Sequence, residues 1–322
     1  MKYIYYNVLL LFIILLILYL ILIFIKFTSK KIYSYLEKRQ QRNYQTLYDY
    51  ITMNIFQKSS YNIDSFTTNN YICCIYCYFE KNDIYKNNFI YFLSNAILEN
   101  VDYYICINGE CSVNLNNYKD KKNINFIIRK NKCYDFGAYS YLLKKSILKS
   151  YEYYFFMNTS VKGPYLKENT NKDWTIPFIE LFNSDNIKIV GTTINIWTIR
   201  NESLISLYGK KDVYTHVQSM FFCLKKEYLD FLLKKGFFNY KETCKLDFNE
   251  LIQAKEISLS QVALNKNWNI NCILPRYRNL NYLNINKDIN PSSTNGDPYY
   301  KNGYFYNTID PYDVIFFKNT RF

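Results

Sequence analysis

Glycine, proline, histidine and arginine are all scarce in this chain. Eight Gly and six Pro serve 322 residues. No Gly-x-Gly-x-x-Gly follows the first strand-like run, so a dinucleotide-binding turn has no support. A Gly-Lys-Ser/Thr phosphate loop is also missing. The single histidine, His216, and the lack of any Gly-x-Ser-x-Gly exclude the usual serine-hydrolase elbow. One His with dispersed cysteines argues against a catalytic zinc site. Acids are in deficit, 27 against 40 Lys and Arg, for a formal charge of +13. The lysines are scattered and no nucleic-acid motif accompanies them, so no nucleic-acid partner is expected.

Aromatic residues are in excess at 20%, with 36 Tyr. Asn, Lys, Ile, Tyr and Phe share A/T-rich codons, and coding bias accounts for the excess. The nine cysteines are odd in number. Cys73, Cys74, Cys77 and Cys106 fall inside strand-like runs, where buried thiols act as small hydrophobes. Cys74-x-x-Cys77 has no matching second pair, and a reduced set of cysteines is the expectation.

Residues 3–25 are apolar apart from Asn7 and tyrosine hydroxyls. That length suits a bilayer, and the run leads into Lys26 without a small-residue cleavage site. A retained single-pass anchor, with the lipid bilayer as partner, is the expectation. Lys30, Lys31, Lys38, Arg39 and Arg42 follow it, and the positive-inside rule favours a cytosolic main domain. The expected organisation is a transmembrane anchor (1–26), a basic stem (27–68), an α/β domain (69–280) and an irregular C-terminal wrap (281–322).

Within the domain, strands are expected at 71–79, 103–107, 124–128, 153–157 and 187–190. Helices are expected at 84–98 and 137–148. This alternation predicts a mostly parallel sheet covered by helices on both faces. Ligands of such sheets sit beyond the carboxyl ends of the strands. Residues 129–164 hold two such ends, each closing in a polar, glycine-containing turn.

Four motifs carry a resemblance. They are Arg129-x-Asn131-x-x-x-Asp135-Phe136-Gly137-Ala138-Tyr139; Asn158-x-Ser160-Val161-x-Gly163-Pro164; Gly191-Thr192; and His216-Val217-Gln218-Ser219. In this order and spacing, over residues 71–275, the chain resembles the rhamnan synthesis protein F family of glycosyltransferases. The resemblance implies a GT-A-like fold, a nucleotide-sugar donor and a glycan acceptor. Arg129, Asp135, Gly137, Tyr139, Asn158, Ser160, Lys162, Gly163, Gln218 and Ser219 would then line the donor side.

Arg129 suits a bidentate contact with phosphate. Asp135, just before a helix, could cap it, bind donor hydroxyls, or do both. Asn158-Thr159-Ser160 occupies the turn where many GT-A enzymes carry Asp-x-Asp for a divalent metal. Hard cations prefer carboxylates, which counts against Mn or Mg at this turn. Lys162 could supply positive charge instead. His216 could contact diphosphate, metal or acceptor. Glu256-Ile257-Ser258-Leu259-Ser260 is similar to the carboxylate-plus-Leu-Ser helix of inverting GT-A enzymes. Glu256, at the expected helix start, is thus the candidate general base, with Glu250 and Asp247 as competitors. The alternative function is a catalytically inactive GT-A-like scaffold that binds glycan or nucleotide-sugar.

Overall fold

The run at 71–79 folds as strand β1 (Ile72–Tyr78), buried at every residue after Ile72. A strand apolar on both faces needs cover on both. It obtains that cover at the centre of a sheet. Strands β2 (Val101–Asn108), β3 (Ile124–Arg129) and β4 (Tyr153–Asn158) join it in parallel register. The chain continues through β5 (Ile187–Gly191), β6 (Ile194–Trp197), β7 (Tyr214–Val217), β8 (Phe221–Lys225) and β9 (Asn269–Cys272). The seven-stranded sheet has the order β3-β2-β1-β4-β8-β5-β9. Only β8 runs against its neighbours, so the other six strands end on one common edge. This mixed α/β arrangement, with a mostly parallel central sheet, fits the GT-A-like expectation.

The molecule is known here from a computed structural model that describes residues 71–144, 150–168, 170–199 and 201–321. The expected anchor and stem lie outside the described residues. Among the described residues, no helix is long and apolar enough to cross a membrane. The two expected helices are α1 (Asp83–Asn95) and α2 (Tyr134–Lys144). The β6–β7 hairpin forms a separate two-stranded sheet. Its four-residue strands are too short to leave a readable alternation in the sequence.

The aromatic excess fills the core. On one face of the sheet, Phe156 stacks on Phe222 with ring centroids 4.8 Å apart, beside Tyr139 and Phe238. On the other, Phe155, Trp174, Phe178 and Phe221 pack edge to face or tilted, and Phe316 stacks on Phe221. Offset and edge-on pairs of this kind add about 0.5–1.5 kcal/mol each beyond area burial.

Cys73, Cys74, Cys77 and Cys106 are buried free thiols, as expected. Cys133 and Cys244 instead form a disulfide across 111 residues. This corrects the expectation of reduced cysteines for that pair. Both sit in connecting segments rather than strands, where the chain can bring them together. After β9 the chain wraps irregularly, and its last segment docks beside the end of β4. Tyr165 N donates to Ile315 O at 2.7 Å. Gly163 is required here, since a Cβ would meet Ile315 O at 2.4 Å.

Candidate active site

The carboxyl ends of β1 and β4 meet the start of α2. Asp135 lies in the first turn of α2, not ahead of it. Its Oδ1 accepts from Phe136 N at 2.8 Å, and its Oδ2 accepts from Asn158 Nδ2 at 2.8 Å. The expected N-cap role is therefore replaced by a bridge to β4. Burial, followed by the charge of Glu256, pushes the Asp135 carboxyl above its ordinary pKa. The approach to α2 is unusual: Cys133 and Tyr134 both have positive φ, at 62° and 55°. Gly137 lets this loop fold over the helix, because a Cβ would meet Cys133 Cβ at 2.5 Å.

At the end of β4, Asn158 Oδ1 accepts from Ser160 N at 3.0 Å and Ser160 Oγ at 2.6 Å. Thr159 N donates to Cys77 O, and Phe79 N donates to Thr159 Oγ1. The turn is thereby sewn to the end of β1.

Glu256 lies in a π-helical turn (Ile252–Ile257) that leads directly into α3 (Ser258–Leu264). This corrects the expectation that it opens a helix. The helical run begins at Asp247, whose capping box with Glu250 engages both competing carboxylates. Inserted π-turns recur at functional sites because the extra residue re-aims a side chain. Glu256 Oε1 accepts from Ser219 N at 3.1 Å, which leaves Oε2 without a hydrogen-bond partner among the described residues. α3 is fixed to β7 by polar bonds: Ser260 Oγ accepts from Val217 N, and Gln261 Nε2 donates to Thr215 O.

Sequence reasoning missed Lys318, Arg321 and Asp297. Burial, followed by the charge of Arg321, holds Lys318 below the usual lysine pKa, despite opposing pulls from Glu256, Asp297 and Asp135. Arg321 pairs with Asp297. Asp135, Glu256 and Lys318 keep partial solvent access. The C-terminal wrap thus brings two basic side chains within electrostatic reach of Glu256. Nothing in periodicity or motif marked them; arginine's rarity, with one of seven at position 321, was the only signal.

Other expected site residues lie elsewhere or are engaged. Arg129 Nη1 donates to Asn108 Oδ1 at 2.6 Å, and Nη2 donates to Lys132 O at 2.8 Å. Its guanidinium also lies against the rings of Tyr141 and Tyr240. Tyr139 is wholly buried in the core. The Lys162 ammonium lies 4.9 Å from the Tyr91 ring centroid. Gln218 Oε1 accepts from Thr193 Oγ1 at 2.6 Å. His216, buried on β7, has Nδ1 3.0 Å from Tyr214 O, and its described contacts are with its own hairpin. Beside it, Asn195 Oδ1 and Trp197 Nε1 are buried without a hydrogen-bond partner among the described residues.

The donor set does not fit a divalent metal. The Asn158 carbonyl already takes two bonds from Ser160, and each Asp135 oxygen accepts an N–H. No three His, Cys, Asp or Glu side chains gather to hold an ion among the described residues.

No family model matches the chain, and no curated protein matches it. Solved structures similar to parts of it are glycosyltransferases. One is involved in glycosylation of the major capsid of PBCV-1, with 12% identity and TM-score 0.29, over 53% of this chain and 66% of that one. A second is the mannosyltransferase PcManGT from Pyrobaculum calidifontis, in complex with GDP-Man and Mn2+, with 8% identity and TM-score 0.38, over 66% and 54%. A third is the galactosyltransferase LgtC with donor and acceptor sugar analogues, with 13% identity and TM-score 0.37, over 64% and 74%. The matched regions span between about half and three quarters of those chains. Likenesses this partial carry no argument for activity.

Proposed function

We propose that the chain is a glycosyltransferase that moves a hexosyl or deoxyhexosyl group from a nucleotide-sugar to a glycan acceptor, with inversion. The carrying observation is the placement of Glu256. Glu256 sits in a π-turn, its charge acts on Asp135, Ser219 N fixes one oxygen, and the other is available to accept a proton. The motif resemblance to the rhamnan synthesis protein F family supports the donor and acceptor classes. The apolar run at residues 3–25 supports a membrane anchor; the basic residues after it favour a cytosolic domain, and the Cys133–Cys244 disulfide favours an oxidising compartment instead.

In this reading Glu256 takes the proton of the acceptor hydroxyl as that oxygen bonds to the anomeric carbon. The bond from that carbon to the donor phosphate breaks, and its electron pair leaves on the nucleoside diphosphate. Asp135 and Asn158, locked together, present a hydrogen-bonding floor to the donor sugar.

The test is nucleotide release and sugar transfer by the full chain across a panel of nucleotide-sugars. At least one donor should turn over. Glu256→Gln should lower kcat about 10²–10⁴-fold and leave nucleotide binding within a factor of three. Binding without turnover in wild type, unchanged by Glu256→Gln, would establish the scaffold reading instead.

A further inference from the structure

A leaving diphosphate needs positive charge close by. Arg129 is engaged at Asn108 and Lys132, and the strand-end turn lacks the donors for a metal. The C-terminal tail supplies the charge by another route. Lys162 and Phe317 exchange two backbone bonds of 2.8 Å. Asn319 and Asn88 exchange two side-chain amide bonds of 2.8 Å. The same Asn88 Nδ2 donates to Thr159 O at 2.9 Å. Lys318 stands between these two anchors and is therefore pinned beside the Asn158-Thr159-Ser160 turn. Arg321 follows three residues later, held by Asp297 and lying over the Tyr300 ring.

We propose that Lys318, backed by Arg321, is the resident counter-charge for the donor's diphosphate, standing where other enzymes of this fold use a divalent ion. The inference rests on the glycosyl-transfer reading above. The state of the lysine agrees with it. Its ammonium form is disfavoured by burial and by Arg321 even with three carboxylates nearby, and the charge of an arriving diphosphate would favour that form. Fixing the cation on the chain also suits the geometry, because the turn and the tail are one hydrogen-bonded unit.

The experiment is isothermal titration of the full chain with UDP, GDP, CDP and dTDP, first with EDTA and then with MnCl2. At least one nucleotide should bind in EDTA, and manganese should change its Kd less than threefold. Lys318→Gln should weaken that binding tenfold or more, and Lys318→Arg should restore it to within threefold. Thermal melts of each variant separate lost binding from lost folding. Binding that requires manganese, or a Lys318→Gln variant that melts normally and binds as wild type does, overturns the inference while sparing the enzyme reading. Failure of every nucleotide to bind, with or without manganese, overturns both.

Discussion

Asp135 carries opposing demands. Its carboxylate is positioned by Phe136 N and Asn158 Nδ2, yet burial and Glu256 disfavour its charge. Folding therefore raises its pKa, and the folded state binds the proton more tightly than the unfolded chain does. Such a group costs stability above its folded pKa, and the cost fades as pH falls through the unfolded value. Asp135→Asn keeps an oxygen to accept from Asn158 and removes the charge. The variant should melt higher than wild type at pH 7, and the gap should close as pH falls toward 4; melting curves over that range test this. A variant that melts lower at pH 7 would show that the bond to Asn158 outweighs the buried charge. The place of Asp135, at a helix start that follows a strand end, was legible in the sequence. Its bridging role was not, because the partner, Asn158, comes from a different strand 23 residues away.

At the scale of elements, long features were readable and short ones were not. The continuous apolar run of β1 and the alternation of strands with helices announce a parallel sheet. The π-turn that aims Glu256 leaves no trace in periodicity, since it inserts one residue into an otherwise ordinary helical run. The disulfide was equally silent: two loop cysteines separated by 111 residues have no local signature. It joins the loop before α2 to the short helix Tyr240–Thr243, and so braces the positive-φ residues Cys133 and Tyr134 that deliver Asp135. By loop-closure entropy, a crosslink of this span is worth up to about 4–5 kcal/mol. The double variant Cys133→Ser, Cys244→Ser should lose roughly 2–5 kcal/mol of unfolding free energy in denaturant titration. Equal stability of the variant and the wild type would mean that the bond constrains nothing the rest of the fold does not already hold.

Across the described residues, the chain's last segment is bonded to α1 and to the turn that ends β4. The bond between Asn88 and Asn319 spans 231 residues. In a chain so rich in Asn, neither residue stands out before folding. Phe316, buried against Trp174 and Phe221, supplies the apolar hold; the Asn88–Asn319 pair supplies the register that sets Lys318 beside the Thr159 turn. The two amides are not equivalent. Asn319→Ala breaks only the exchange with Asn88, and net losses of about 1 kcal/mol per bond predict a mild defect. Asn88→Ala also strips Thr159 O of its donor in a buried position, which adds roughly 1–3 kcal/mol. Both variants should loosen the tail, so both should weaken nucleotide binding, and Asn88→Ala should also melt well below Asn319→Ala. If Asn319→Ala left nucleotide affinity unchanged, Phe316 packing and the Lys162–Phe317 bonds alone would be setting the position of Lys318. If Asn88→Ala melted no lower than Asn319→Ala, the Thr159 carbonyl would have a replacement donor once Asn88 is gone.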